Sequence, residues 1–195
     1  MEAIGGRAVL ERVRSIRWAG TAKVFAGSKT IDIGVETYVE PFVRARSDSW
    51  LVSEGRSAMR TLMIEGERGF KVIEGTQSDL SPATAINERQ QFGAYGYMLM
   101  AGARWETARG VLHGSRTGFP SIDIRLGKDG RMLSADYAVL APDEPDADGK
   151  QIREYLRFAG SVTDKGVRWP QRLAIAQDNR PFFALSIDHF SVDLR

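Results

Sequence analysis

Cysteine is absent from the 195 residues, which excludes disulfides, thiol nucleophiles and thiolate metal ligands and leaves the redox compartment open. Histidine is nearly absent. His113 and His189 fall in separate segments, and no neighbouring Asp or Glu completes a metal-ligand spacing, so neither a metal nor another cofactor is expected. Long apolar runs are also missing: no window approaches the eighteen or so residues of a transmembrane helix. The start, Met1 to Gly6, has neither the basic nor the hydrophobic region of a secretion signal, which fits a cytosolic chain or one whose leader was removed. No charge of one sign accumulates. The net charge is +2 and the basic residues are interspersed with acidic ones, so nucleic acid is not an expected partner.

What is present fits an ordinary folded domain. Hydrophobic residues make up 43% and charged residues 27% of the chain, enough apolar material for one substantial core spanning residues 1–195. Val9, Leu10 and Val13 share a side at helical spacing, predicting a short helix from Gly6 to Arg14. From Ile16 the period becomes two. Ile16 to Phe25 and Thr30 to Glu40 form a hairpin across Ala26 to Lys29, and a third strand runs from Phe42 to Val52 after Pro41. Ala58 to Ile64 and Phe70 to Glu74 make a further hairpin around Gly66 and Gly69. Ser81-Pro82 then opens a helix towards Met100, capped by the serine hydroxyl and with Gly93 and Gly96 as points where it could bend or split.

Alternation returns in Ser121 to Leu126 and Arg131 to Leu140, joined by Asp129-Gly130, and again in Ile152 to Val162, Val167 to Ala176 and Pro181 to Leu194. In the last segment Phe183, Leu185 and Ile187 have one parity and Phe190, Val192 and Leu194 the other, which predicts a bulge near Asp188-His189. Strands in series on both sides of one helix favour a mainly β, α+β fold: a large curved antiparallel sheet with helices on one face.

The chemistry-bearing candidates are weak. Gly114-Ser115-Arg116-Thr117-Gly118 has the wrong spacing for a nucleophile elbow and reads as a loop. Gly5-Gly6 lacks a preceding strand, so it is not a phosphate cradle. Asp143, Glu144, Asp146 and Asp148 lack the EF-hand pattern and read as a solvated loop. What remains is apolar: Trp18, Trp50, Phe70, Tyr95, Tyr97, Met98, Met100, Trp105 and Phe119. Such residues pack a core, or they line a cavity between a curved sheet and its covering helix, where methionine adapts to flexible ligands.

Several soft motifs run along nearly the whole chain in a recognisable order. They are Ile4-Gly5-Gly6, Glu40-Pro41-Phe42-Val43-Arg44-Ala45-Arg46, Leu62 to Phe70, Lys128 to Leu133, Tyr155 to Phe158, and Gly166-Val167-Arg168-Trp169-Pro170. In this the chain resembles the LolA/LolB-like superfamily of periplasmic carriers and sensors related to outer-membrane lipoprotein sorting. The resemblance implies an incomplete β-barrel whose concave face is covered by helices, a periplasmic location, and a hydrophobic cavity for a lipid or a lipoprotein acyl chain. Trp18, Trp50, Leu62, Ile64, Phe70, Tyr95, Tyr97, Met98, Met100 and Phe119 are its expected lining. The carriers place a basic residue before the proline that opens the third strand, where it helps to hold the lid. Here that residue is Glu40, so the latch role is not carried over. The alternatives are an envelope sensor or interaction module docking a protein partner, and an enzyme using Glu36, Glu88 or His113.

Overall fold

The computed structural model describes residues 4–100, 102–142 and 149–195, so the acidic segment around Asp143, Glu144, Asp146 and Asp148 lies outside the described residues. A four-residue helix α1 (Arg7–Leu10) leads into β1 (Val13–Ala26), β2 (Lys29–Glu40) and β3 (Arg44–Leu51). A 3-10 turn (Arg56–Ala58) precedes β4 (Arg60–Glu65), β5 (Arg68–Ile73) and β6 (Thr76–Asp79). Helix α2 (Pro82–Met98) follows, then β7 (Arg104–Ala108), β8 (Val111–Arg116), β9 (Phe119–Leu126), β10 (Met132–Leu140) and β11 (Gln151–Ala159). The chain ends with β12 (Val162–Asp164), β13 (Val167–Trp169), β14 (Arg172–Gln177) and β15 (Arg180–Leu194).

Thirteen strands form one antiparallel sheet in the order β6-β5-β4-β3-β2-β1-β15-β14-β11-β10-β9-β8-β7, and β12 pairs with β13 apart from it. The two edges, β6 and β7, do not meet, so the sheet is an unclosed barrel. Helix α2 is the chain segment between those edges, and its 17 residues span about 25 Å. It touches β5 and β4 near one edge and β9 and β10 near the other. In a flat sheet β5 and β9 would stand about 43 Å apart at ~4.8 Å per strand, far more than one helix can bridge sideways. The sheet therefore curls around α2, and the face in contact with the helix is the concave one.

The period-two pattern sets which side chains enter that trough. Ile16, Val39, Ala45 and Ile64 lie opposite one another across β1 to β4, with Gly69 next on β5. A β-carbon at Gly69 would lie 3.2 Å from Cβ of Ala85 on α2. The opposite wall is built from Ile122, Ile124, Ala135, Leu156, Leu173, Leu185 and Ile187, all buried. One end of the trough is filled by rings: Tyr95 meets Trp18 edge-on at 4.9 Å, and Trp169 of β13 stacks between Trp18 and Phe190 at 6.0 and 5.9 Å. The β12–β13 hairpin is pinned there because the Val192 amide donates to the Asp164 carboxylate at 2.7 Å.

Several expectations stand and others are corrected. The predicted bulge is present: Ala19 pairs with His189 but Gly20 pairs with Ile187, so one extra residue, Asp188, restores the inward parity of the β15 side chains. Ser81 caps α2, accepting from the Thr84 amide at 3.2 Å. The helix expected over Gly6 to Arg14 shrinks to Arg7–Leu10, because Val13 and Ser15 already pair with Leu194 and Asp193. A helix this short cannot outcompete that long ladder. Gly114-Ser115 is not a loop but part of β8, and β6 and β7 are further strands that the residue pattern did not announce. The segment Val167 to Ala176 is two strands, broken where Pro170 has no amide to donate. The third strand begins at Arg44 and not at Phe42, because residues 41–43 form a turn.

Candidate functional site, a helix-covered trough

Helix α2 seats close to the sheet through small residues. Ala85, Gly93, Ala94 and Gly96 are buried along it, together with Tyr97 and Met98. A β-carbon at Gly96 would lie 2.6 Å from the Phe42 ring, and one at Gly93 would lie 2.6 Å from the Phe119 ring. The two glycines that could have split the helix instead let it drop onto these rings, and it remains unbroken.

Phe42 is the residue that sequence reasoning missed. It follows Pro41 in the β2–β3 turn with φ +63, the left-handed region that bulky residues avoid. This conformation folds its ring inward, edge-on to Tyr97 and to Phe119 at 5.0 Å each, with the Arg116 guanidinium 4.5 Å above it. Nothing in a Pro-Phe pair announces positive φ, which only the packing of α2 enforces.

The sequence-selected lining residues divide by strand parity. Trp18, Ile64, Tyr97 and Met98 are buried in the trough, where Tyr95 and Leu62 are half-buried. Phe119 packs against α2, and Met100 follows the helix C-terminus at the open end. Trp50 and Phe70 are on the other side of the sheet. Trp50 pairs with Gly34 in the row that carries Glu36 and Tyr38, and Phe70 continues the row Arg17, Tyr38, Arg46, Met63. Aromatic content alone does not reveal parity, and one residue of offset exchanges the faces. Between α2 and strands β2 to β4 the seam at Val39, Phe92, Gly93 and Phe119 has a volume of about 20 Å³, room for about one water molecule.

Polar groups occupy another part of the trough wall. Glu154 is fully buried and accepts from the Tyr137 hydroxyl at 2.5 Å and from the Gln177 amide at 2.9 Å. Burial pushes its carboxyl up, against the lowering effect of those two donors. Glu88 on α2 is half-buried. Burial, and then the negative charge of Glu154, push it up to about 7. The phenols of Tyr95 and Tyr137 are raised too, chiefly by burial. Asn87 and Gln90 fix this part of α2 to the end of β10: Asn87 donates to the Leu140 carbonyl at 2.6 Å and Gln90 accepts from the Leu140 amide at 2.7 Å.

The residues considered for catalysis do not converge. Glu36 is on the outer face, bonded to Arg56 at 2.6 Å. His113 lies beside Asp123 at 2.8 Å on β8 and β9, exposed, and Glu88 faces the trough. Glu40, in place of a basic latch, accepts from Arg44 at 2.7 Å and Tyr38 at 2.5 Å, and these two donors, Arg44 first, hold its carboxyl below the usual range. Among the described residues no three His, Asp or Glu side chains are placed to hold a metal ion, and no helix is long and apolar enough to cross a membrane.

No protein-family model matches the chain, and no curated protein matches its sequence. Solved structures do match. A LolA superfamily protein from Nitrosomonas europaea aligns with TM-score 0.57 and 10% identity, over 100% of this chain and 90% of its own. A protein described as a putative outer membrane lipoprotein-sorting protein domain, from Vibrio parahaemolyticus, aligns with TM-score 0.57 and 8% identity, over 92% and 85%. A DUF1329 family protein from Desulfovibrio piger aligns with TM-score 0.58 and 11% identity, over 94% and 88%. The backbone path is shared where the side chains are not, and the chain has the LolA-like fold.

Proposed function

We propose that this protein is a periplasmic binding protein that carries a lipid, a lipoprotein acyl chain or a similar apolar ligand in the trough beneath α2. The observation that carries the reading is the construction of the lid: an unclosed sheet with an apolar concave face, covered by one helix strung between its two free edges. The reading takes its ligand class from the fold shared with a protein described as a putative outer membrane lipoprotein-sorting protein domain. The seam beneath α2 is packed, with about 20 Å³ of space, so this reading takes the observed arrangement as a closed state. An acyl chain enters when α2 and the Phe42 ring lift, and it takes over the contacts they make with Val39, Ala45 and Ile64. Ten buried methylenes contribute about 8 kcal/mol, equivalent to micromolar binding before the cost of moving the helix is subtracted. In this reading Trp18, Leu62, Ile64, Tyr95, Tyr97, Met98, Met100 and Phe119 touch the ligand, and no bond is made or broken.

Native mass spectrometry and uptake of a fluorescent fatty acid test it. A saturable 1:1 signal that shifts the tryptophan fluorescence is expected, and no uptake by the folded protein overturns the reading.

A second reading has its own observation. The outer face carries a groove of about 800 Å³ in which Met63 and Phe70 lie beside Arg17, Tyr38, Arg46 and His189. As an envelope interaction module the protein would dock a partner there, so Phe70→Ser would abolish crosslinking to that partner and leave acyl uptake intact.

A further inference from the structure

At the open end of the trough, between α1, the β2–β3 turn and the β7–β8 hairpin, lies a cavity of about 910 Å³ lined by five arginines, Arg7, Arg14, Arg44, Arg116 and Arg195, against two carboxylates, Glu11 and Glu40. Two of the arginines are neutralised locally: Arg7 pairs with Glu11 at 2.7 Å and Arg44 with Glu40 at 2.7 Å. Arg14 reaches Asp193 only at 4.0 Å, and Arg116 spends one donor on the Gly102 carbonyl. Among the described residues Arg116 and Arg195 thus have no carboxylate partner and Arg14 has only a long one, although the chain as a whole carries a net charge of only +2.

Two neutral donors at the same place are also unsatisfied. Among the described residues the Trp105 indole N–H is buried without an acceptor, and the buried Tyr97 hydroxyl donates to none. Tyr97 is 1% exposed. Its ring meets those of Phe42 and Trp105 at 5.0 and 6.0 Å, and both of these residues line the cavity. Its hydroxyl oxygen accepts from the Arg116 backbone amide and lies within the field of the Arg116 guanidinium, so it is the hydroxyl proton that has no acceptor. Leaving buried donors unmade is costly, and each such group in a native protein calls for a reason. Phe42 supplies the geometric link, because its ring borders both this cavity and the seam beneath α2.

Resting on the carrier reading, we propose that this cavity is the headgroup site: it takes the phosphate or carboxylate of an anionic amphiphile, whose chain passes Phe42 into the trough. Arg116, Arg14 and Arg195 provide the charge. Phe42 swings aside on entry, and the Trp105 and Tyr97 donors that it and its neighbours enclose then become available to the anion. Charge-assisted bonds are the stronger ones in such a setting and confer orientation, so the site sets which end of the ligand enters last.

The experiment compares dodecyl phosphate, dodecanoate, dodecanol, dodecyltrimethylammonium and inorganic phosphate by calorimetry on the full chain at low salt. Dodecyl phosphate and dodecanoate are expected to bind at least tenfold more tightly than dodecanol, the cationic amphiphile more weakly still, and inorganic phosphate at least a hundredfold more weakly than dodecyl phosphate. Arg116→Gln removes most of the preference. Since that arginine also holds Gly102 and covers Phe42, the exposed pair Arg14→Gln/Arg195→Gln is the second variant, expected to weaken dodecyl phosphate about tenfold and dodecanol not at all. Equal binding of dodecyl phosphate and dodecanol overturns the headgroup site and leaves the carrier reading standing. Inorganic phosphate binding as tightly as dodecyl phosphate makes this a free-anion site and overturns the headgroup assignment. If no amphiphile binds, the carrier reading falls and this inference falls with it.

Discussion

Glu88→Gln should stabilise the protein at neutral and alkaline pH and do nothing at pH 4. Glu88 sits half-buried on α2 within the electrostatic reach of Glu154, Tyr95 and Tyr137, and burial, then the Glu154 charge, push its folded carboxyl up to about 7 from an ordinary 4.5. A carboxyl raised on folding binds its proton more tightly in the native state, so the folded form holds more protons between pH 4.5 and 7, and stability falls as pH rises through that window. At about 1.4 kcal/mol per pH unit the loss would be roughly 3 kcal/mol for a fully desolvated group. Partial exposure and relaxation of α2 reduce this to about 1–2 kcal/mol. The neutral amide avoids the charge at every pH, so the variant should gain about that amount at pH 8, or roughly 2–8 °C in Tm for a chain of this length. Urea unfolding followed by Trp fluorescence at pH 5, 6, 7 and 8 measures it, with wild type losing stability across the series and the variant losing less. Parallel pH profiles for the two proteins would refute the placement of Glu88 in a desolvated site beside Glu154.

Gly96→Ala should destabilise by about 1–3 kcal/mol because its methyl group meets the Phe42 ring, even though alanine favours a helix by ~1 kcal/mol over glycine; a rise in Tm would contradict the close seating of α2. Tyr137→Phe leaves the buried Glu154 with one donor fewer and should cost about 1–3 kcal/mol, measured by denaturant midpoint, with the larger loss at pH 8, where the carboxylate most needs its donor. Phe42→Ala removes a half-buried ring that packs against Tyr97 and Phe119, so it should lower stability by about 2–3 kcal/mol and, on the carrier reading, speed entry of a fluorescent fatty acid in stopped-flow traces. Unchanged entry kinetics would show that ligands take another route.

Much of the strand plan was readable because a half-buried strand must alternate, as in Ile31, Ile33, Val35 and Val39, and because Asp129-Gly130 and Ser81-Pro82 mark a hairpin and a helix start by local backbone chemistry. The parity switch in β15 even located its bulge. The weak edges were not readable: β6 is exposed throughout and β7 nearly so, and such strands have no apolar pattern to betray them. Nor was the side of the sheet on which a ring would lie. Trp50 and Phe70 have the same composition signal as Trp18 and differ from it only in parity relative to a helix distant in sequence.

By itself the sequence determined the mainly antiparallel architecture, the single long helix, and the absence of thiol chemistry, all of which follow from residue type and short-range spacing. Only the tertiary structure decided that α2 lies inside the curl, that Phe42 turns inward at positive φ, that Glu88 comes within the field of Glu154, and that arginines from residues 7 to 195 gather at one mouth. The physical reason is common to all four. Each depends on how far a thirteen-stranded sheet bends, and that bend is the sum of small twists and bulges whose effect appears only when strands remote in sequence are brought side by side.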